Sequence, residues 1–585
     1  MAFDGITINS IVTELKDRLV GGRVDKVYQP ESDEIILSVR SLGKNCKLLL
    51  TANPSHPRLH LTEISRDNPM EPPLFCMVLR KHIQSGKILE ITQPNFDRIV
   101  NIKIEALNEM GDYTLKTLVL EIMGRHSNLM LVDENGTVLE SARHISFDKS
   151  SVRQVLPGKE YVMPPDSGKT DTLLLNEENF HKTLENLNSE KAFAAIYKGY
   201  NGISPVIADE VCYNAGIDAN KPVSTLSDSE KQNLYEAFSA LVDKIKATDY
   251  LPQIVYDGEK VKDMLPFSLN KYKDLRTQTF SSPSRMTEEF YSAKDTAYRM
   301  SQKTHDLKHL VTQNIERCVK KRDIQQKSLK DIENREHLRL CGELITANIY
   351  AIKQGMTTVK LNNFYSENFE EVEIELDGSL TPAENAQKYF KRYNKAKRTY
   401  TALQEQIASN DEELAYLETV LAGVENCENE QDIKEIRREL REQGYVKKEA
   451  KQKGRQVNKK SAPLHYISSD GYDIYVGKNN IQNDELTLRT AHSTDIWMHT
   501  KNIPGSHVII ITRGADVPDT TLTEAATLAA YYSKAQTSSM VPVDYTQRKN
   551  VHKPNGAKPG FVIYDTNKTA YITPSKEAVE KIKQV

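Results

Sequence analysis

The sequence predicts a multidomain α+β protein, and three observations carry that expectation. A chain of 585 residues is too long for one hydrophobic core, so three or four domains are expected. Residues 97–132 alternate and turn as antiparallel strands do. Residues 286–443 are charge-rich and spaced as helix.

In chain order, Thr7–Leu19 places Ile8, Ile11, Val12, Leu15 and Leu19 at helical spacing, and Gly21-Gly22 ends it. Short strands follow at Val24–Gln29, Glu34–Arg40 and Lys47–Thr51. Pro72-Pro73 opens a helix through about Ile83, stopped near Ser85-Gly86. Ile99–Ala106 alternates, with Val100, Ile102 and Ile104 on one face and Asn101, Lys103 and Glu105 on the other. Asn108–Asp112 is a turn and Tyr113–Leu120 the returning strand; Glu134-Asn135-Gly136 turns again between Leu129–Val132 and Val138–Ala142. Residues 1–170 therefore form one α+β domain with an antiparallel sheet, closed by Pro164–Gly168.

Residues 171–285 are expected to be mostly helical. Within them Tyr200-Asn201-Gly202-Ile203-Ser204-Pro205 is a Gly-centred turn before a helix through Val211. It is either a plain helical turn or a phosphate-facing turn of the helix-hairpin-helix kind. Residues 286–443 hold two long helical arms, about 287–350 and 383–441, around a small insert with strands at Val359–Leu361 and Glu371–Leu376. An antiparallel coiled coil is expected, against a bundle folded back on the body. Residues 444–460 form a basic linker. The last domain, 461–585, has a hairpin at Tyr466–Ser468 and Tyr472–Val476 and a buried strand at Val508–Ile511. A helix is expected at Thr523–Lys534, with strands at Val541–Tyr545 and Phe561–Tyr564.

Between the strands ending at Leu120 and starting at Leu129 sits the polar insert Glu121-Ile122-Met123-Gly124-Arg125-His126-Ser127-Asn128. Such an insert is expensive to bury without partners, so it is a surface bend or a binding edge. If the hairpin is symmetric about its turn, paired residue numbers sum to about 220, and Asp97-Arg98 lies opposite Glu121 to Met123. Two distant segments then make one site. The plainer alternative is that Arg98 and Glu121 form a structural ion pair.

Net charge is only −3, so bulk electrostatics gives no argument for nucleic acid. Local charge is more telling. Arg441–Lys460 holds eight basic residues and two acids, a net of +6, and Tyr545–Gly560 holds Arg548, Lys549, Lys553 and Lys558 with no acid. Such patches suit a polyanion bound at chosen places, though the first also suits a solvated linker. Trp497, His499, Lys501 and His507 are further candidate RNA contacts, with Trp497 either a stacking surface or core. The two histidines lack a third ligand at metal spacing, and the six cysteines form no CxxC pair. No metal, cofactor or disulfide framework is expected. No apolar run spans a membrane, and the N-terminus lacks a signal core, which points to a cytoplasmic protein with reduced thiols.

Asn95-Phe96-Asp97-Arg98, Glu121–Asn128, the run Asp495–His507 and Lys553-Pro554-Asn555-Gly556-Ala557-Lys558-Pro559-Gly560 together resemble the NFACT family, closest to its bacterial branch, along essentially the whole chain. The resemblance implies four parts: a glycosylase-like NFACT-N domain (1–170), a helix-hairpin-helix region (171–285), a coiled-coil arm with a tip insert (286–443), and an NFACT-R domain (461–585). It implies a ribosome-quality-control factor that binds the stalled large subunit, with its 23S rRNA, proteins and peptidyl-tRNA. Such a factor recruits alanyl-tRNA, and a small RNA-binding co-factor of the pathway is implied beside it. Template-free alanine tailing of the stalled chain is the implied outcome. Asp97, Arg98, Glu121, Ile122, Met123 and Gly124 map onto the family's tRNA-binding segments. Arg125 keeps the charge of a lysine expected in some relatives. Family members are also described as fibronectin-binding adhesins, the rival reading; the absence of an evident signal or anchor argues against it. The glycosylase fold invites an enzymatic reading, but Ala2 and Phe3 stand where those enzymes have a nucleophilic N-terminal proline, so no catalytic residue is expected.

Overall fold

The computed structural model describes residues 3–69, 71–148, 150, 152–165, 168–447 and 461–585. Ala2 and all but the start of the basic linker (residues 448–460) lie outside the described residues. The chain divides into two compact units, Met1–Ala297 and Tyr298–Val585.

The first unit opens with helix α1 (Gly5–Leu19), capped by the Asp4 side chain, which accepts from the Thr7 N–H. A nine-stranded antiparallel sheet follows, built from β1 (Arg23–Glu31), β2 (Glu34–Ser41), β3 (Lys44–Thr51), β4 (Arg58–Leu61), β5 (Lys87–Thr92), β6 (Ile99–Leu107), β7 (Tyr113–Glu121), β8 (Asn128–Val132) and β9 (Val138–Ser141). Its order is β4-β3-β2-β1-β5-β6-β7-β8-β9. Helix α2 (Leu74–Ile83) starts directly after Pro72-Pro73. α1, α2 and one sheet face enclose a core that includes Ile11, Leu15, Leu79, Ile102 and Leu120. β4 and β5 add to the predicted strands. β4 follows a Pro-flanked loop and is too short for its alternation to be read.

The hairpin register is the predicted one. Ile99 pairs with Glu121 and Leu107 with Tyr113, without a bulge. The opposite face of β6–β8 carries Ile99, Val119, Met130 and Val132, and Val155, Ile145 and Tyr161 of segment 143–163 cover it.

Helices α3 (Glu177–Asn186), α4 (Ala192–Gly199), α5 (Pro205–Asn214) and α6 (Asp228–Lys246) form the expected helical region. A small sheet of β10 (Gln253–Asp257), β11 (Lys260–Leu265) and β12 (Arg276–Thr279) follows, an addition to the mostly helical region expected at 171–285. Phe96, just before the Asp97-Arg98 pair, is buried in this helical core beside Ile6, Tyr200 and Ile203.

Helix α7 (Pro283–Asp331) bends at residues 332–334 into α8 (Arg335–Ala347). The insert is a hairpin of β13 (Thr358–Asn362) and β14 (Glu371–Glu375), with Val359 opposite Ile374. The return arm is two helices, not one: α9 (Pro382–Glu425) ends, and Asn429 caps the new helix α10 (Glu430–Glu442) by accepting from Gln431 and Asp432 N–H groups. Within the second unit α7 and α9 lie side by side and antiparallel. Lys308 meets Glu425, the Cys318 carbonyl meets Asn410, and Gln325 meets Gln406.

The C-terminal sheet, in order β22-β19-β17-β18-β16-β15-β23, contains β15 (Leu464–Ile467), β16 (Asp473–Val476), β17 (Ile496–Thr500), β18 (Val508–Ile510), β19 (Val541–Gln547), β22 (Lys568–Ile572) and β23 (Lys583–Gln584). Helices α11 (Asn480–Glu485), α12 (Asp519–Tyr531) and α13 (Lys576–Glu580) and the pair β20 (Val551–His552) and β21 (Ile563–Tyr564) complete it. α12 buries Ala525, Leu528 and Ala529 against one sheet face.

Asp432, Glu435 and Glu439 repeat at helical spacing on α10 and are buried. Glu435 accepts from Ser461 N (2.6 Å) and Oγ (2.9 Å), Asn479 Nδ2 (3.1 Å) and Gln482 Nε2 (3.2 Å). Glu439 accepts from Tyr416 Oη (2.9 Å) and Asn480 Nδ2 (3.0 Å). Burial pushes the Glu439 carboxyl up to about 7, against the lowering effect of those two hydrogen bonds. An acid raised in the fold contributes stability that is full below its unfolded pKa and is lost as pH rises through about 7. Calorimetric melting should therefore show the second unit weakening between pH 5 and pH 8. Glu439→Gln should remove a share of that slope worth up to about 3 kcal/mol.

Candidate RNA-binding edge

The two segments singled out in the sequence meet. The Ile122 N–H donates to the Arg98 carbonyl at 2.8 Å, one step beyond the Ile99–Glu121 pair. Asp97 and Arg98 are half-buried, and Asp97 Oδ1 accepts the Arg98 N–H at 2.7 Å. Asn95 and Phe96, just before them, have φ of 52° and 54°, left-handed backbone that costs a non-glycine residue roughly 1–3 kcal/mol each. Surrounding contacts must hold that conformation. The Asn201 amide donates to the Asn95 carbonyl (3.3 Å), and the Gln93 amide donates to the carbonyls of Gly5 and Asp97 (both 2.9 Å).

The insert divides by exposure. Glu121 and Ile122 are buried, Met123 and Gly124 are half-buried, and Arg125 and His126 are exposed. Ile122 belongs to the sheet core, so only its backbone serves the edge. Gly124 has φ of 59°, and a Cβ there would meet only the Pro54 carbonyl oxygen, at 3.9 Å. Ser127 Oγ accepts the Met123 N–H at 2.8 Å, closing the bend.

Glu121 does not pair as expected. The ion pair with Arg98, the plainer of the two alternatives, is not made; Arg153 Nη1 lies 2.8 Å from Oε1, Arg153 Nη2 on Oε2, and Tyr161 Oη 3.0 Å from Oε1. Glu121 ends its strand pointing to the face that segment 143–163 covers, away from Arg98's side chain reach across the pair. Lys169 is a residue that sequence reasoning missed. Its ammonium donates to the Tyr197 carbonyl at 2.9 Å, and burial pulls it down, with the Arg98 charge adding to the effect and Asp97 opposing it. Arg143 also borders the edge, reaching the Arg125 carbonyl at 3.5 Å and Asp33 at 3.5 Å. No short-range pattern marks either residue.

The C-terminal candidates fare unevenly. Trp497 is fully buried, tilted against Tyr564 (4.7 Å between centroids) and stacked on His499 (5.9 Å), so it is core and offers no exposed stacking face. Burial pushes His499 down to about 4 and His507 well below its ordinary value, so neither carries charge to a phosphate near neutral pH. The basic loop is partly spent within the chain. Lys553 pairs with Asp484, and Lys558 donates to Tyr445 Oη (2.9 Å) with its ammonium 4.7 Å from the Tyr416 ring centre. Arg548 Nε donates to the Thr487 carbonyl at 2.7 Å. Lys501 and Lys549 remain exposed. Among the described residues no group of three His, Cys, Asp or Glu is placed to hold a metal ion, and no helix is long and apolar enough to cross a membrane.

The two units, each an antiparallel sheet with helices packed on it, make the chain a multidomain α+β protein. The description of NFACT N-terminal and middle domains matches residues 4–460, and that of the NFACT protein RNA-binding domain matches residues 463–565. The chain is 39% identical over 588 residues to the Rqc2 homolog RqcH of Bacillus subtilis and 36% identical over 587 residues to that of Streptococcus suis, each pairing covering 100% of both chains. A solved structure of the C-terminal part of a fibronectin/fibrinogen-binding protein from Streptococcus suis is 36% identical, covering 49% of this chain and 99% of that one, with a TM-score of 0.39. The chain belongs to the NFACT family of Rqc2 homologues.

Proposed function

We propose that the protein is a ribosome quality-control factor that brings tRNA to an obstructed large ribosomal subunit through the edge formed by Asp97, Arg98 and Met123 to Arg125. Family membership supports the quality-control role, and the Ile122–Arg98 backbone bond carries the tRNA reading, because it makes one surface of two segments. Arg98, Arg125 and Lys169 would meet phosphates or base edges, and Asp97 would orient a guanidinium or accept from a base amine or 2′-OH. On this reading the tRNA is alanyl-tRNA and the outcome is template-free alanine tailing of the stalled chain. Peptide transfer is then the ribosome's own chemistry, helped here by position alone. The N-terminal unit would be a glycosylase-like fold. Helices α7 to α9 would form a coiled-coil arm reaching the subunit, and a small RNA-binding co-factor would assist. On this reading the protein acts in the cytoplasm, beside the ribosome it serves.

The test is to purify the tagged protein from cells and sequence the RNA that comes with it. Enrichment of 23S rRNA and one tRNA family is the expected result. RNA in bulk proportions, with fibronectin binding intact, would favour the adhesin reading instead.

A further inference from the structure

We propose that Arg153 and Tyr161 are positioning residues of the tRNA edge, and that Glu121 acts as their buried anchor without touching RNA. The inference rests on the tRNA reading of that edge and changes the role of one of its members.

Glu121 has no exposed surface. A carboxylate in that position cannot meet a phosphate, a base or a 2′-OH without unfolding its strand end. Both of its oxygens are already engaged, by the two Nη groups of Arg153 and by the Tyr161 hydroxyl. The bidentate geometry fixes direction as well as distance. Burial raises the Tyr161 hydroxyl far above its ordinary value and the Glu121 charge adds to it, so Tyr161 stays a proton donor. For Arg153, burial is outweighed by the hydrogen bond and charge of Glu121, which hold its guanidinium charged.

The clamp reaches the edge in one covalent step. Glu121 precedes Ile122, whose N–H holds the Arg98 carbonyl, and Met123 and Gly124 come next. Ile145, Arg153 and Tyr161 are themselves fastened. Arg153 Nη1 donates to the Val162 carbonyl at 2.7 Å, Ile145 bridges Val155, and the Tyr161 N–H donates to the Gly136 carbonyl at 2.7 Å. Arg153 and Tyr161, so tied, grip the residue from which the edge departs. A site held by such supports loses binding when they loosen, even where no contact to ligand is removed.

The experiment uses the full chain and fluorescently labelled, deacylated total tRNA, at a temperature where each variant's circular dichroism matches the parent. Arg153→Lys keeps the charge but loses the fork, Tyr161→Phe loses one hydroxyl, and Glu121→Gln loses the charge. Each is expected to weaken tRNA binding about five- to tenfold in the folded state, the worth of one hydrogen bond. The double variant Glu121→Gln with Arg153→Lys should be no weaker than its weaker parent, because both changes act through one link. Multiplying losses in the double variant would overturn the proposal, since Glu121 would then meet RNA on its own. Unchanged affinity in folded Arg153→Lys and Tyr161→Phe would overturn it too, leaving the clamp a stabiliser only. If Asp97→Ala with Arg98→Ala also leaves affinity unchanged, the tRNA reading itself fails; if that pair loses binding while the cycle multiplies, only the anchor role fails.

Discussion

Replacing Asp97 and Arg98 together by alanine is expected to weaken tRNA binding about a hundredfold or more, since a specific arginine contact is worth about 1–3 kcal/mol and its orienting carboxylate goes with it. Melting should move little. Both side chains are half-buried rather than core, and the strand they open is fixed by the register from Ile99–Glu121 to Leu107–Tyr113. The Asp97 side chain gives up its bond to the Arg98 N–H, worth about 1 kcal/mol. Removing Arg98 alone should also lower the slope of log K against log salt by about one, the mark of a lost phosphate contact. Arg125→Ala, on the exposed tip of the same bend, should do the same with a smaller loss of affinity. Anisotropy titrations at three salt concentrations check all of this. A double variant that binds tRNA like the parent would remove the edge from the RNA-binding surface.

The edge was legible in the sequence because a hairpin is local. Strict alternation in Ile99–Leu107 and a five-residue turn set the register, so the facing of two segments followed from arithmetic. The partner of Glu121 was not legible, because Arg153 lies in segment 143–163, which is pinned by an isolated bridge and loop hydrogen bonds rather than by a periodic pattern. The nearer arginine in the hairpin drew the assignment. The pairing of the basic loop was hidden for a related reason. Sequence counts charge but not partners, and Lys553 and Lys558 find Asp484, Tyr445 and Tyr416 across long stretches of chain. Trp497 followed the ordinary behaviour of a lone tryptophan in a strand, buried between a sheet and its covering elements. The long helices were visible from composition, but their breaks were not: Asn429 caps a new helix where the helical charge pattern runs on unbroken.

The second large effect is expected at Gly202, in the Tyr200–Pro205 turn that had two readings from sequence. A Cβ on Gly202 would stand 2.4 Å from the Phe96 carbonyl oxygen and 2.6 Å from Phe96 Cδ1, and the Gly5 N–H donates to the Gly202 carbonyl at 2.9 Å. The turn therefore supports the Asn95–Arg98 segment from behind. Gly202→Ala combines a left-handed φ of 74° with a collision against backbone and ring, and should cost about 2–4 kcal/mol of stability. It should also weaken tRNA binding in the molecules that stay folded, because the displaced Phe96 carries Asp97 and Arg98 with it. Gly216→Ala is the control, since Gly216 has a similar φ of 70° but nothing within 4 Å of its Cβ position. Backbone strain alone should cost that variant about 1 kcal/mol and leave tRNA affinity unchanged. Equal losses of affinity in the two variants would mean that stability, not the placement of Phe96, governs binding. A loss confined to Gly202→Ala would tie the helical region to the RNA edge through one carbonyl and one ring.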